Sequence, residues 1–238
     1  MKLSPETLKR AIVATLKKGS VIAQMKQLQL SPPLLIITMG YPGSGKSYFA
    51  RQFAELYGLA RISEDRVRYE LFESPQFNVD EADIIGRMNH YMLEQIMQGQ
   101  QSVIFEGSGL KISERKSLFD LAKKHKYRTL TVWMQTDIET SMQRSMKRDK
   151  RNPDSKYAFE LDKSTFSKIK ERLQKPTERE VAVVVSGKHA FRSQCLTVLR
   201  KIATIYSEAI STDEFNTKAK NTPRVTSIKV QTDRRFIQ

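Results

Sequence analysis

Two periods of apolar residues alternate along the chain, and their order predicts the architecture. Short apolar runs rich in β-branched residues, Leu34–Met39, 59–63, 102–106, 128–134 and 181–185, read as strands. Between them, helical apolar spacing over 48–57, 79–97, 113–124, 137–147, 164–173 and 189–208 predicts helices. Within 79–97, Ile84, Ile85, Met88, Met92, Leu93 and Ile96 share one face, which reads as core. Strand and helix in alternation predict an α/β fold whose parallel sheet is covered on both faces. Ahead of the first strand, Ser4-Pro5-Glu6 supplies an N-cap, a proline at the first helical position and an acidic first turn for a helix ending at Lys18. Residues 1–30 therefore read as a helical appendage, and 31–208 as the main domain. From Ala209 the apolar residues stand isolated among Thr, Asn, Ser, Gln and basic side chains, so 209–238 read as a disordered basic tail.

One junction carries chemistry. Gly40-Tyr41-Pro42-Gly43-Ser44-Gly45-Lys46-Ser47 fits the phosphate-binding pattern GxxxxGK[ST], and it lies between the first strand and a helix that Gly58 stops. Its glycines let the backbone curl, so that successive N–H groups backed by the helix dipole wrap an anionic phosphate. The expected ligand is ATP, with Lys46 on the β- and γ-phosphates and the Ser47 hydroxyl on Mg²⁺.

Composition narrows the setting. At 238 residues the chain suits one α/β domain with appendages. Its 41 Lys and Arg against 26 Asp and Glu give a formal charge of +15, which favours polyanionic partners and says nothing about fold. No apolar stretch is long enough to cross a membrane, and Met1-Lys2-Leu3-Ser4 lacks a secretory apolar run, so the protein reads as soluble and cytoplasmic. A single cysteine, Cys195, excludes an internal disulfide and a cysteine-based metal cluster. The histidines His90, His125 and His189 have no ligand spacing.

The remaining candidates sit where strand ends meet the crevice of an open α/β sheet. After the second strand comes Ser63-Glu64-Asp65-Arg66-Val67-Arg68. Asp65 is placed to accept the proton of an attacking hydroxyl, with helix N-capping as its alternative role, and Arg68 to hold an acceptor's phosphate or carboxylate. Glu106, closing the third strand before Gly107-Ser108-Gly109, serves either Mg²⁺ through water or the acceptor. The basic run from Arg144 through Arg148 to Arg151 leads into a proline-containing connection, Asn152-Pro153-Asp154, that resembles a lid over about 144–163. Arginines from it are expected to neutralise transferring phosphate, and the sequence does not say which of Arg144, Arg148 and Arg151 points inward.

Together, Thr38–Ser47, the Ser63–Arg68 segment, Val103-Ile104-Phe105-Glu106 and the 144–151 run resemble the kinase domain of phage-type polynucleotide 5′-kinases and the wider AAA-like P-loop kinases, over roughly Leu34 to Ile202. That resemblance implies a doubly wound parallel sheet of order 2-3-1-4-5. It further implies an ATP- and Mg²⁺-dependent phosphotransferase acting on a hydroxyl, with Asp65 as general base, Arg68 on the acceptor phosphate, and Arg148 or Arg151 on the ATP phosphates. The implied acceptors are a polynucleotide 5′-hydroxyl or a small metabolite, as in zeta-toxin-like kinases. The rival class is a nucleic-acid-associated switch ATPase. Two departures stand out. Those polynucleotide kinases end the third strand in Asp followed by Thr-Asn, whereas this chain has Glu106-Gly107-Ser108-Gly109, and it carries no DxDxT phosphatase motif.

Overall fold

Six consecutive buried residues, Leu34–Met39, make β1 the middle strand of its sheet. In this computed structural model, which describes residues 30–107, 109–149, 151 and 156–217, β1 is flanked on both sides by parallel partners. The other strands are β2 (Ala60–Ser63), β3 (Val103–Glu106), β4 (Arg128–Gln135) and β5 (Ala182–Ser186). The sheet order is β2-β3-β1-β4-β5, as the resemblance implied. A strand covered on both faces cannot alternate apolar and polar residues, which is why Leu-Leu-Ile-Ile runs unbroken.

Helices α1 (Lys46–Tyr57), α2 (Glu64–Leu71), α3 (Val79–Gln98), α4 (Ile112–Lys124), α5 (Ile138–Met146), α6 (Lys163–Arg172) and α7 (Phe191–Thr217) alternate with the strands. On one face of the sheet, Ile85, Met88, Met92, Leu93, Ile96 and Met97 of α3 join Leu35, Ile37, Val103 and Phe105 in the main core. Each aliphatic side chain fully buried there contributes about 1.5–3 kcal/mol. The helix ends follow their sequence signals. Asn78 Oδ1 accepts the Glu81 N–H at 2.9 Å to open α3, and Asp137 and Asp162 cap α5 and α6 in the same way. Gly58, in the left-handed region, closes α1.

Strand register positions the site. Thr38 of β1 pairs with Glu106 of β3, and Glu106 pairs with Ser63 of β2. The carboxyl ends of the three strands are therefore level. The loop after β1, the first turn of α2 after β2 and the last residue of β3 open on one edge, at the point where the strand order reverses around β1.

Contacts divide the chain into two units, one up to Arg200 that carries the sheet and one from Lys201. Helix α7 continues past the expected end at Glu208 to Thr217, into the segment that composition read as tail. With no Gly or Pro across 209–217, extending an existing helix needs no new nucleus. The helix expected over 4–18, Lys150 and 152–155 of the expected lid, Ser108, and the tail from 218 lie outside the described residues. Among those described, no helix is long and apolar enough to cross a membrane.

Candidate active site

The loop from Gly40 to Ser47 is shaped before any ligand arrives. Gly40 and Gly43 have φ of 142° and 80°, where side chains rarely go. A Cβ on Gly40 would stand 2.3 Å from the Met134 carbonyl, and one on Gly43 2.2 Å from that of Ser141, so neither position has room for one. The Ser44 N–H closes a turn on Tyr41 O at 3.1 Å, and the Thr136 hydroxyl donates to Ser44 O at 3.2 Å from behind. Helix α1 starts directly at Lys46 with no side-chain cap, leaving its first-turn N–H groups for a ligand. Lys46 Nζ arches over the loop and donates to Gly40 O and Tyr41 O at 2.9 and 2.8 Å. The buried Ser44 hydroxyl has no protein partner. A glycine cradle, a lysine held across it and uncapped helix amides fit a nucleotide's phosphates, and Ser47 stands on the helix edge facing the carboxylates.

A crevice of about 190 Å³ opens beside the loop, lined by Ser47, Arg61, Ser63, Asp65, Glu106 and Tyr157 among others. Asp65 is the second residue of α2. Ser63 holds the N-cap position, its side chain makes no cap bond, and Asp65 stands in the first turn of the helix. Asp65 is exposed to the crevice it lines. Partial desolvation by the crevice walls raises its pKa to about 6, helped by the charges of Glu106 and Glu64 and offset by Lys46 and Arg68. Lys46 moves the opposite way, down to about 8, because burial outweighs the support of Glu106 and Asp65, with Arg148 adding repulsion. Acid and amine thus sense each other across the crevice, and both titrate near neutrality.

Glu106 is nearly closed to solvent and anchored on β2. Its Oε1 accepts the Ser63 hydroxyl at 3.2 Å and its Oε2 accepts Arg61 Nη2 at 3.1 Å. No expectation included Arg61 or Ser63. A basic residue two positions before the end of a four-residue strand was the available signal.

The arginines separate. Arg148 is the inward one: burial lowers its pKa, with Asp65 and Glu160 opposing, and its charge reaches Lys46. Arg151 turns outward, 92% exposed, and closes on Asp149 at 3.0 Å. Arg144 is exposed on α5, with its Cβ on the side where Gly43 faces that helix. Arg68 does not line the crevice. It is buried against Glu81 at 3.2 Å and Glu64 at 3.7 Å, with its guanidinium 4.9 Å from the Phe77 ring centre.

A second buried arginine lies behind the site. Arg115, wholly buried, pairs with Glu180 through Nε at 2.6 Å and Nη2 at 3.0 Å. Its Nη1 donates to Gly109 O and Leu110 O, and its Nη2 to Lys175 O. The loop after β3 is thereby tied to the segment that returns from α6.

The profile of the AAA domain family matches residues 35–176. The L-seryl-tRNA(Sec) kinase of Methanococcus maripaludis is 22% identical over 144 residues, covering 54% of this chain and 56% of its own length. The cytidylate kinase of Methanopyrus kandleri is 27% identical over 122 residues, covering 48% of this chain and 63% of its own. The chain thus spans little more than half of the relatives it matches. A gluconokinase from Sinorhizobium meliloti 1021 shares the fold at a TM-score of 0.57 and 19% identity, over 76% of this chain and 98% of its own. With the profile running from β1 past α6, the chain belongs to the AAA domain family, whose P-loop kinases use ATP with Mg²⁺.

Proposed function

We propose that this protein is a kinase that moves the γ-phosphoryl group of ATP to a hydroxyl acceptor. The observation that carries the reading is the placement of Asp65, with its raised pKa, in one crevice with Ser47 and Glu106 and within electrostatic reach of Lys46 and Arg148. Bound ATP with Mg²⁺ would supply the electrophilic phosphorus and neutralise part of its oxygen charge. Lys46 holds the loop closed and presents its charge to the β- and γ-phosphates, while Ser47 offers its hydroxyl to the cation. Asp65 takes the proton of the acceptor hydroxyl as that oxygen bonds to the γ-phosphorus. The bond from that phosphorus to the β,γ-bridging oxygen breaks, ADP leaves, and Asp65 returns its proton to water. Arg148 balances the charge that develops between them. Glu106, fixed by Arg61 and Ser63, faces the metal through water or the acceptor.

The acceptor we favour is a hydroxyl borne on a polynucleotide, a 5′-hydroxyl or one attached to tRNA. The net charge of +15 supports it, as do the exposed Lys163, Lys168, Lys170 and Arg172 of α6, which follow the crevice-lining Lys156. A relative that acts on seryl-tRNA adds to this support. The test is transfer of labelled γ-phosphate to a 5′-hydroxyl oligonucleotide, seryl-tRNA, cytidine and gluconate, with Lys46→Ala as control. Acceptor-dependent label that disappears in Lys46→Ala, whose fold should be intact, is the expected result. ADP release that no acceptor stimulates would overturn the kinase reading in favour of a switch ATPase.

A further inference from the structure

The connection between α2 and α3 holds a side chain in an unfavourable backbone state. Phe77 has φ of 54°, a left-handed conformation that residues with a Cβ seldom adopt, and the residue is 37% exposed. Glu81 enforces this geometry. Its Oε1 accepts the Gln76 N–H at 2.7 Å, and its Oε2 accepts the Phe77 N–H at 2.8 Å and Arg68 Nη1 at 3.2 Å. Arg68 neutralises that buried carboxylate and stacks on the ring it positions, 4.9 Å from its centre. A carboxylate closed around two backbone amides and an arginine is a costly arrangement for an ordinary surface turn.

What it presents meets the lid. The Phe77 ring lies 4.5 Å from that of Phe159, itself 45% exposed. Beside this pair, Tyr69 of α2 stands 6.3 Å from Tyr157, and Arg66 lies 5.9 Å over the Tyr157 ring. Two rings from the lid thus rest on two rings from the α2 side, and Lys156, Tyr157 and Ala158, within or next to that contact, line the crevice at Asp65. Resting on the kinase reading above, we infer that Arg68, Glu81 and Phe77 are positioning residues. They build a seat for Phe159 and thereby hold Tyr157 and Lys156 against the acceptor end of the crevice. Arg68 acts through Phe77, without touching the acceptor.

Two measurements on the full chain test this. The first needs no turnover. In a Phe159→Trp variant, the added emission, read as the difference from Trp133 alone, should shift to the red when Phe77→Ala or Arg68→Met is introduced, because the indole loses its seat. The second is steady-state transfer to the 5′-hydroxyl oligonucleotide. Phe77→Ala, Phe159→Ala and Arg68→Met should each raise acceptor KM about tenfold with ATP KM unchanged. Combining Phe77→Ala with Phe159→Ala should add little to either single change, and Phe77→Tyr should restore acceptor KM. A raised acceptor KM in Arg68→Met with a normal one in Phe77→Ala would overturn the inference, since Arg68 would then contact the acceptor directly. An unmoved indole emission would overturn it as well. If the emission responds while no acceptor is phosphorylated, the seat stands and the kinase reading fails.

Discussion

Replacing Asp65 with Asn separates chemistry from architecture at this site. Asn keeps the shape and removes the base. A positioned base contributes roughly 10²–10⁴ to a proton-transfer step, or about 2.7–5.4 kcal/mol of barrier. With a pKa of about 6 the wild-type carboxylate is about nine-tenths ionised at pH 7 and about one-tenth at pH 5, so kcat/KM should fall about tenfold between them. The residual rate of Asp65→Asn should show no such limb. Stability should move the other way. The folded pKa lies above the ordinary 3.8, so the folded protein binds this proton more tightly than the unfolded chain does. Stability is therefore lost as pH rises from about 4 to about 6, and the ionised carboxylate is a liability at pH 7. Asp65→Asn should melt higher than wild type at pH 7 and level with it below pH 4. The assays are single-turnover transfer of labelled phosphate and thermal melts from pH 4 to 8. A lower melting temperature with normal activity per folded molecule would refute the reasoning and leave Asp65 a structural residue.

Glu106→Gln removes a negative charge that raises the Asp65 pKa, so the acid limb of the pH profile should move to lower pH. If the carboxylate also faces the metal, the Mg²⁺ concentration for half-maximal rate rises; if it faces the acceptor, only acceptor KM does. Neither change would confine Glu106 to its bonds with Arg61 and Ser63. Lys46, at about 8, should set an alkaline limb in kcat/KM for the free enzyme, lost when pH exceeds that value, and a flat profile to pH 9 would contradict it. Arg115→Met strands Glu180 in the interior and should cost about 3–5 kcal/mol in denaturant unfolding, part of it recovered by adding Glu180→Gln. A loss below 1 kcal/mol would show that the pair is dispensable.

Much of this was legible because the signals are local. The unbroken apolar run of β1, the glycine spacing and the Gly58 stop fall within 25 residues, and backbone sterics enforce them. The Met-rich stripe of α3 is buried as its spacing requires, except Ile84, which is only partly covered. Side-chain pairing across the fold is another matter. Arg61 meets Glu106 at a separation of 45 residues, and Arg115 meets Glu180 at 65. Neither pair leaves a periodicity, because each depends on which strand ends and loops the topology makes adjacent. The arginines after α5 pose the same problem at short range: Arg148 and Arg151 are three residues apart, and only the course of the chain there turns one inward and the other to Asp149.

Arg68 shows where the two kinds of information part. By position it follows Asp65 at helical spacing, which puts it near the same crevice, and its charge does reach Asp65. What the spacing cannot convey is competition for the guanidinium. The chain leaves α2, turns through Phe77 and returns at Glu81, 13 residues on, bringing a buried carboxylate to 3.2 Å. A buried carboxylate without its arginine is penalised far more than an arginine at a wet crevice gains from an acceptor's charge. The interior pairing therefore wins, and the crevice is lined instead by Arg51, Arg61, Arg66 and Lys156, with the charge of Arg148 reaching Asp65 from after α5. Helical spacing from Asp65 thus places Arg68 near the crevice without making it part of the lining, which Arg61, Lys156 and Tyr157 supply instead.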